Sequence, residues 1–246
     1  MRPATARDRL IVALDVPSVS RADQLIAELG EAASFYKIGY QLIYRPGGLD
    51  LAQRIVASGK KLFVDAKLLD IAETIENGVA SIAALGAHFV TVHAQHRQTL
   101  AAAARAASGT QTRILGVTVL TSLDASDLAE FGWAGTAGEL VRDRVKIAVA
   151  CGIHGVVASG VEAPLIRAYA GTDLLIVTPG VRRATDAAGD QKRVVTPRDA
   201  VAGGADYIVV GRPIVASDNP RAAAEAIVAE MGCKTPCASP FLKGEA

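Results

Sequence analysis

Cysteine is scarce in this chain: three residues in 246, at Cys151, Cys233 and Cys237. An odd, sparse set argues against a disulfide framework and fits a reducing cytoplasm. Cys233 and Cys237 have the spacing of half a metal site, but no second ligand pair follows, so they read as free thiols near a loose tail. Excess charge is also lacking. The formal net charge is +1, which gives no indication of a broad nucleic-acid patch or a polybasic membrane anchor. Long hydrophobic runs are missing as well. No stretch reaches the roughly 18 uninterrupted apolar residues that a membrane helix needs. The apolar run after the basic N-terminus is too short for a signal sequence and is interrupted by Asp15. These absences lead to the expectation of a soluble, cytoplasmic protein with no nucleic-acid or membrane partner.

Half of the residues are hydrophobic and 21% are charged, enough to bury a large core. Short apolar runs rich in Val and Ile recur at 10–15, 35–39, 62–66, 88–93, 114–120, 155–158, 174–178 and 207–211. Their near-continuous apolarity suits strands covered on both faces, as in a parallel sheet. Between them lie segments of helical period at 20–29, 71–85, 99–107, 137–150, 163–170, 197–202 and 220–231. Gly59, Gly86, Gly109, Gly152 and Gly171 punctuate the returns to strand, as helix C-terminal caps do. This alternation predicts one closed (β/α)8 barrel, for which about 250 residues is typical. The open doubly wound sheet is the alternative. No interdomain linker is visible. The expected organisation is one barrel domain over 1–233 and a flexible tail over 234–246.

Catalytic residues of such barrels stand at the carboxyl ends of strands and in the loops that follow. Strand one is expected to end in Asp15, strand two carries Lys37, strand three ends in Asp65-Ala66-Lys67, and strand four ends in His93. Asp65 and Lys67, two apart on a strand, point to the same face, and Val64 and Ala66 to the other. Lys37 on the adjacent strand can flank Asp65. Opposite charges buried together at a mouth must pair. The bland reading is a salt-bridge network that fixes register; the functional one is a catalytic array. His93 reads as a satisfied histidine supporting these charges. His93 and His96 lack the companions of a metal site.

The segment Asp65-Ala66-Lys67-Leu68-Leu69-Asp70-Ile71, with Thr74, resembles the signature of the orotidine 5'-phosphate decarboxylase family. The resemblance covers nearly the whole barrel. Ala13-Leu14-Asp15, Lys37-Ile38-Gly39, Val92-His93-Ala94 and Val117-Thr118-Val119-Leu120-Thr121-Ser122 are similar to the family's motifs on strands one, two, four and five. Val177 to Arg182 followed by Gly189-Asp190-Gln191 resembles its phosphate loop, and Val210-Gly211-Arg212-Pro213 its last strand end. The pattern is not visible after Gly232.

The resemblance implies decarboxylation of orotidine 5'-phosphate to uridine 5'-phosphate and carbon dioxide in pyrimidine biosynthesis, with no metal and no organic cofactor. It implies Lys67 as the cation and proton donor beside a carbanion, Asp65 near the substrate carboxylate, and Lys37 bridging Asp65 and the ribose. Asp15 is implied at the ribose, and Thr121 or Ser122 at the pyrimidine, with helix capping as the alternative use of that turn. Pro179, Arg182, Gln191, Gly211 and Arg212 are implied in substrate binding, with Gln191 and Arg212 at the phosphate and the 179–191 loop as a lid. Asp70, Ile71 and Thr74 are implied to complete the neighbouring subunit's site in a homodimer, although Asp70 also has the character of a helix cap. Three other functions are weighed: a magnesium-dependent 3-keto-L-gulonate 6-phosphate decarboxylase sharing the D-x-K-x-x-D core, a Schiff-base aldolase acting through Lys67, and a non-catalytic phosphoribosyl-binding protein.

Overall fold

A computed structural model of the chain describes residues 2–183 and 195–232. Eight strands pair in parallel and in sequence order into a closed barrel. They are β1 (Leu10–Ala13), β2 (Phe35–Ile38), β3 (Lys61–Leu68), β4 (Phe89–His93), β5 (Arg113–Val117), β6 (Gly155–Val157), β7 (Leu175–Thr178) and β8 (Tyr207–Val210). Pairing of Leu10, Ile11 and Val12 with Ile208, Val209 and Val210 closes the ring, so neither edge is left unpaired.

A helix follows each strand: α1 (Val19–Leu29), α2 (Gly48–Ala57), α3 (Ala72–Ala84), α4 (Arg97–Ala107), α5 (Ala137–Ala150), α6 (Ala163–Ala170), α7 (Pro197–Ala202) and α8 (Pro220–Gly232). Short helices at Ala6–Arg9, Tyr40–Ile43, Ala125–Glu130 and Arg212–Val215 decorate the loops.

The period of two along each strand sorts side chains into two cores. Ile11, Phe35, Phe63, Phe89, Leu115, Leu175 and Tyr207 point into the barrel and fill its lower part. Phe89 meets Tyr207 edge-on across the lumen, with centroids 5.2 Å apart. Val12, Tyr36, Val64 and Ile208 pack outward against helices on one side, and Val90, Ile114, Val156 and Ile176 do so on the other. Aromatic and branched side chains therefore plug the barrel from below and leave only the upper end open for chemistry.

Some boundaries differ from the sequence reading. β1 stops at Ala13, so Asp15 stands in the loop beyond it, and β5 stops at Val117 rather than at 120. One residue past each strand end, the Leu14 N–H still bonds the Lys37 carbonyl at 2.9 Å and the Thr118 N–H the Val157 carbonyl at 3.1 Å. Helix α2 was not among the expected helices. It buries Leu51, Ala52 and Ile55, a helical spacing, but Pro46-Gly47-Gly48 at its start reads as a turn. Gly48 is required there: a Cβ would lie 2.0 Å from the Leu42 carbonyl oxygen. The expected tail over 234–246 lies outside the described residues.

Candidate active site

The upper end of the lumen changes abruptly from apolar to charged. Above Ile11 and Ala13 comes Asp15. Above Phe35 comes Lys37, and above Phe63 come Asp65 and Lys67. Lys37 Nζ donates to Asp15 Oδ1 and Oδ2 at 3.0 and 3.2 Å and lies 3.4 Å from Asp65 Oδ2. Lys67 Nζ donates to the same Asp65 oxygen at 2.8 Å. The four groups thus form an alternating row, Asp15–Lys37–Asp65–Lys67, with Asp65 held between two cations. The row is graded in exposure: the Lys37 and Asp65 side chains are 9% and 13% exposed, Lys67 31% and Asp15 50%.

A buried carboxylate standing alone would take up a proton. Burial does push Asp65 in that direction, but Lys37 and Lys67, with hydrogen bonds from Lys67 and Thr91, outweigh it and hold its pKa below the ordinary value of 3.8. Asp65 is therefore an anion throughout the neutral range.

The local backbone explains how two residues of one strand reach this arrangement. The β3–β4 register runs Val64 against Val90 and then Leu68 against Val92. Three residues of β3, Asp65 to Lys67, thus face the single residue Thr91 of β4. Lys67 adopts φ +41°, the only positive value among described non-glycine residues, a conformation that L-residues rarely take. A bulge of this kind turns a side chain where a regular strand would not. Asp65 and Lys67 share a face as expected, but through the bulge and not through a simple two-residue alternation.

Thr91, fully buried, was not singled out in the sequence. Its Oγ1 donates to Asp65 Oδ1 at 2.9 Å and accepts from the Lys67 backbone N–H at 2.8 Å. The available signal was a lone hydroxyl at an inward position of a valine-rich strand. Tyr40 is a second such residue: its hydroxyl donates to the Ala66 carbonyl at 2.6 Å.

His93 is not the satisfied support that was expected. Its Nδ1 is buried with no hydrogen-bond partner among the described residues. Burial, then Arg144 and Lys67, lower its pKa against the opposing pull of Asp65, so the ring is neutral. His96 Nδ1 faces Thr99 Oγ1 at 3.4 Å. Among the described residues no group of three His, Cys, Asp or Glu stands ready to hold a metal.

The charged row forms one wall of a cavity of about 460 Å³. Thr121 and Ser122 line a second wall, Pro179 and Arg182 a third, and Gly211 and Arg212 a fourth. Phe63, Val117, Val157 and Val209 contribute apolar surface. Ten of the sequence-predicted residues are thereby brought together. Thr121 and Ser122 do not cap the helix that follows: Asp124 does, accepting from Ser126 and Asp127 N–H.

Asp70, Ile71 and Thr74 do not line this cavity. They sit at the start of α3, where Ile71 is 70% exposed. Ile71 is the N-cap and makes no side-chain cap bond, while Asp70 Oδ1 accepts from the Ile71 N–H at 2.7 Å. Asp70 therefore precedes the cap instead of forming it. Gln191 and most of the expected lid lie outside the described residues.

Comparison with known proteins agrees with this geometry. The family model described as "Orotidine 5'-phosphate decarboxylase / HUMPS family" matches residues 8–227. A protein of Afipia carboxidovorans named orotidine 5'-phosphate decarboxylase is 56% identical over 229 residues, covering 93% of this chain and 97% of the relative. One from a Methylobacterium species, of the same name, is 55% identical over 232 residues, covering 93% and 98%. Among solved structures, orotidine 5'-phosphate decarboxylase from Lactobacillus acidophilus superposes with a TM-score of 0.82 at 33% identity, covering 95% of this chain and all of that one.

Proposed function

Since the chain belongs to the orotidine 5'-phosphate decarboxylase / HUMPS family, we propose that this carboxy-lyase converts orotidine 5'-phosphate to uridine 5'-phosphate and carbon dioxide using its own side chains, without metal or organic cofactor. The observation that carries this reading is the Asp15–Lys37–Asp65–Lys67 row against one wall of a closed-bottomed cavity.

Loss of carbon dioxide breaks the bond between the pyrimidine ring and its carboxylate. The electron pair stays in an sp2 orbital on the ring carbon, where the ring cannot delocalise it. Stabilisation must come from a fixed nearby charge. Lys67 is that charge, and as a general acid it passes a proton from Nζ to the carbon and later regains one from water. Asp65, anionic and desolvated, faces the substrate carboxylate. It is relieved as carbon dioxide leaves, and it orients both lysines. Lys37 and Asp15 hold the ribose. Thr121 and Ser122 read the polar edge of the base. Pro179, Arg182, Gln191, Gly211 and Arg212 hold the phosphate end, in the region after strands seven and eight where barrels of this kind often bind phosphate. Binding energy from that end closes the 179–191 loop and is used at the reacting carbon.

The working unit is a homodimer in the cytoplasm, serving pyrimidine synthesis, with residues 1–233 as one catalytic domain. Asp70, Ile71 and Thr74 complete the partner's site. Their exposure at the head of α3, next in sequence to exposed Leu69, supports a contact at that place.

The test is loss of substrate absorbance with chelator present. Wild type turns over, and Lys67→Ala loses at least about 10²- to 10⁴-fold in kcat. A folded, dimeric wild type without turnover in chelator, but active on a sugar phosphate with magnesium, would reverse the assignment.

A further inference from the structure

We infer that Thr91 is a positioning residue for decarboxylation: one hydroxyl holds Asp65 and the backbone of Lys67 in the arrangement the reaction needs. This rests on the proposed reaction. The argument starts from the register shift, in which Asp65, Ala66 and Lys67 all face Thr91. A bulge removes ladder partners from the backbone groups within it, and a buried N–H left alone is costly. The Lys67 N–H finds its acceptor in Thr91 Oγ1 at 2.8 Å, at the residue whose φ of +41° is the strained one.

The hydroxyl has one proton to give, and it is directed to Asp65 Oδ1 at 2.9 Å. The lysines take the other oxygen: Asp65 Oδ2 lies 2.8 Å from Lys67 Nζ and 3.4 Å from Lys37 Nζ. Thr91 thus fixes the rotation of the carboxylate, leaving Oδ2 to face both cations. The same atom pins the backbone from which the Lys67 side chain departs. Both ends of the Asp65–Lys67 pair are therefore referred to a single point on β4, and Phe89, two residues below on the same inward face, seats that strand in the apolar plug. Only the hydroxyl makes these contacts. Valine has nearly the shape of threonine and neither hydrogen bond, and serine has both.

Thr91→Val, Thr91→Ser and wild type are compared in two ways. In steady-state turnover of orotidine 5'-phosphate, Thr91→Val loses about 10- to 100-fold in kcat with KM nearly unchanged, because a misplacement of this order acts on the reacting geometry. Thr91→Ser stays close to wild type. Independently of turnover, the ¹³C-detected titration of the Asp65 carboxyl moves upward in Thr91→Val, which removes a hydrogen bond to the charged form, and stays in place in Thr91→Ser. If Thr91→Val does not fold, Thr91→Ala supplies the same two readings. Unchanged kcat and an unchanged titration in the hydroxyl-free variant overturn the inference, as does a serine variant no better than valine. A wild type that never turns over the nucleotide sinks the functional reading alone, and the carboxyl titration still decides whether Thr91 holds Asp65.

Discussion

At the scale of single residues, the site rests on one carboxylate kept ionised in a place that disfavours charge. Asp65 is held below its ordinary pKa because two lysines and a threonine outweigh its burial. For a carboxylate depressed in the folded state, the associated stability is present above the unfolded pKa and is lost as pH falls through the folded one. Asp65 therefore sets no limit on activity near neutrality. Asp65→Asn is expected to lower kcat at least 100-fold, since Lys37 and Lys67 would then face each other with no anion between them. Steady-state kinetics check this. The variant should still fold, because Lys37 keeps Asp15 as a partner at 3.0 Å, and circular dichroism checks that.

At the scale of elements, the decisive feature is the shared geometry of strand end and loop. The bulge on β3 delivers Lys67 to the lumen, and the turn that starts α2 brings Gly48 against the Leu42 carbonyl. Gly48→Ala forces that contact apart and is expected to cost about 1–3 kcal/mol, as overpacking does, read as a lower urea midpoint. Activity at saturating substrate should survive in the folded fraction, since Gly48 does not line the cavity. Both features were poorly legible in the sequence. A bulge is a relation between two strands, and periodicity within one strand does not reveal it. Helix α2 carries a helical spacing at Leu51, Ala52 and Ile55, but Pro46-Gly47-Gly48 concealed its start.

At the scale of the whole molecule, the two ends of the barrel behave differently. The lower end holds His88 against Phe35 and Phe89, with ring centroids 5.3 and 4.8 Å away. Burial, with Lys61 and Arg113, pushes its pKa down to about 4 from 6.5. Because the unfolded chain binds the proton more readily, the His88 contribution to stability is full above about pH 6.5, declines as pH falls toward about 4, and levels off below. Urea midpoints across that range should show the decline, and His88→Gln should flatten it in part; burial also lowers His93 and His154. The upper end exposes Ile71 and Leu69. On the proposed dimer, Ile71→Asp should shift the sedimentation coefficient toward monomer and lower turnover more than tenfold at low protein concentration. An unchanged dimer would remove α3 from the interface.

The sequence alone determined the eight strands and seven of the eight helices that alternate with them, because apolar runs covered on both faces and helices of regular period leave local traces. It also marked Asp15, Lys37, Asp65, Lys67 and Arg212, charged residues at or just beyond the ends of apolar strands. Only the tertiary structure decided how these charges share partners. The spacing of Asp65 and Lys67 put both on one face, but the φ of Lys67 and the link to Thr91 arise from a register between β3 and β4. That His93 Nδ1 has no hydrogen-bond partner among the described residues is likewise a property of its surroundings. Contacts between strands depend on which residue meets which across the sheet, and a linear pattern carries the faces of a strand but not its register.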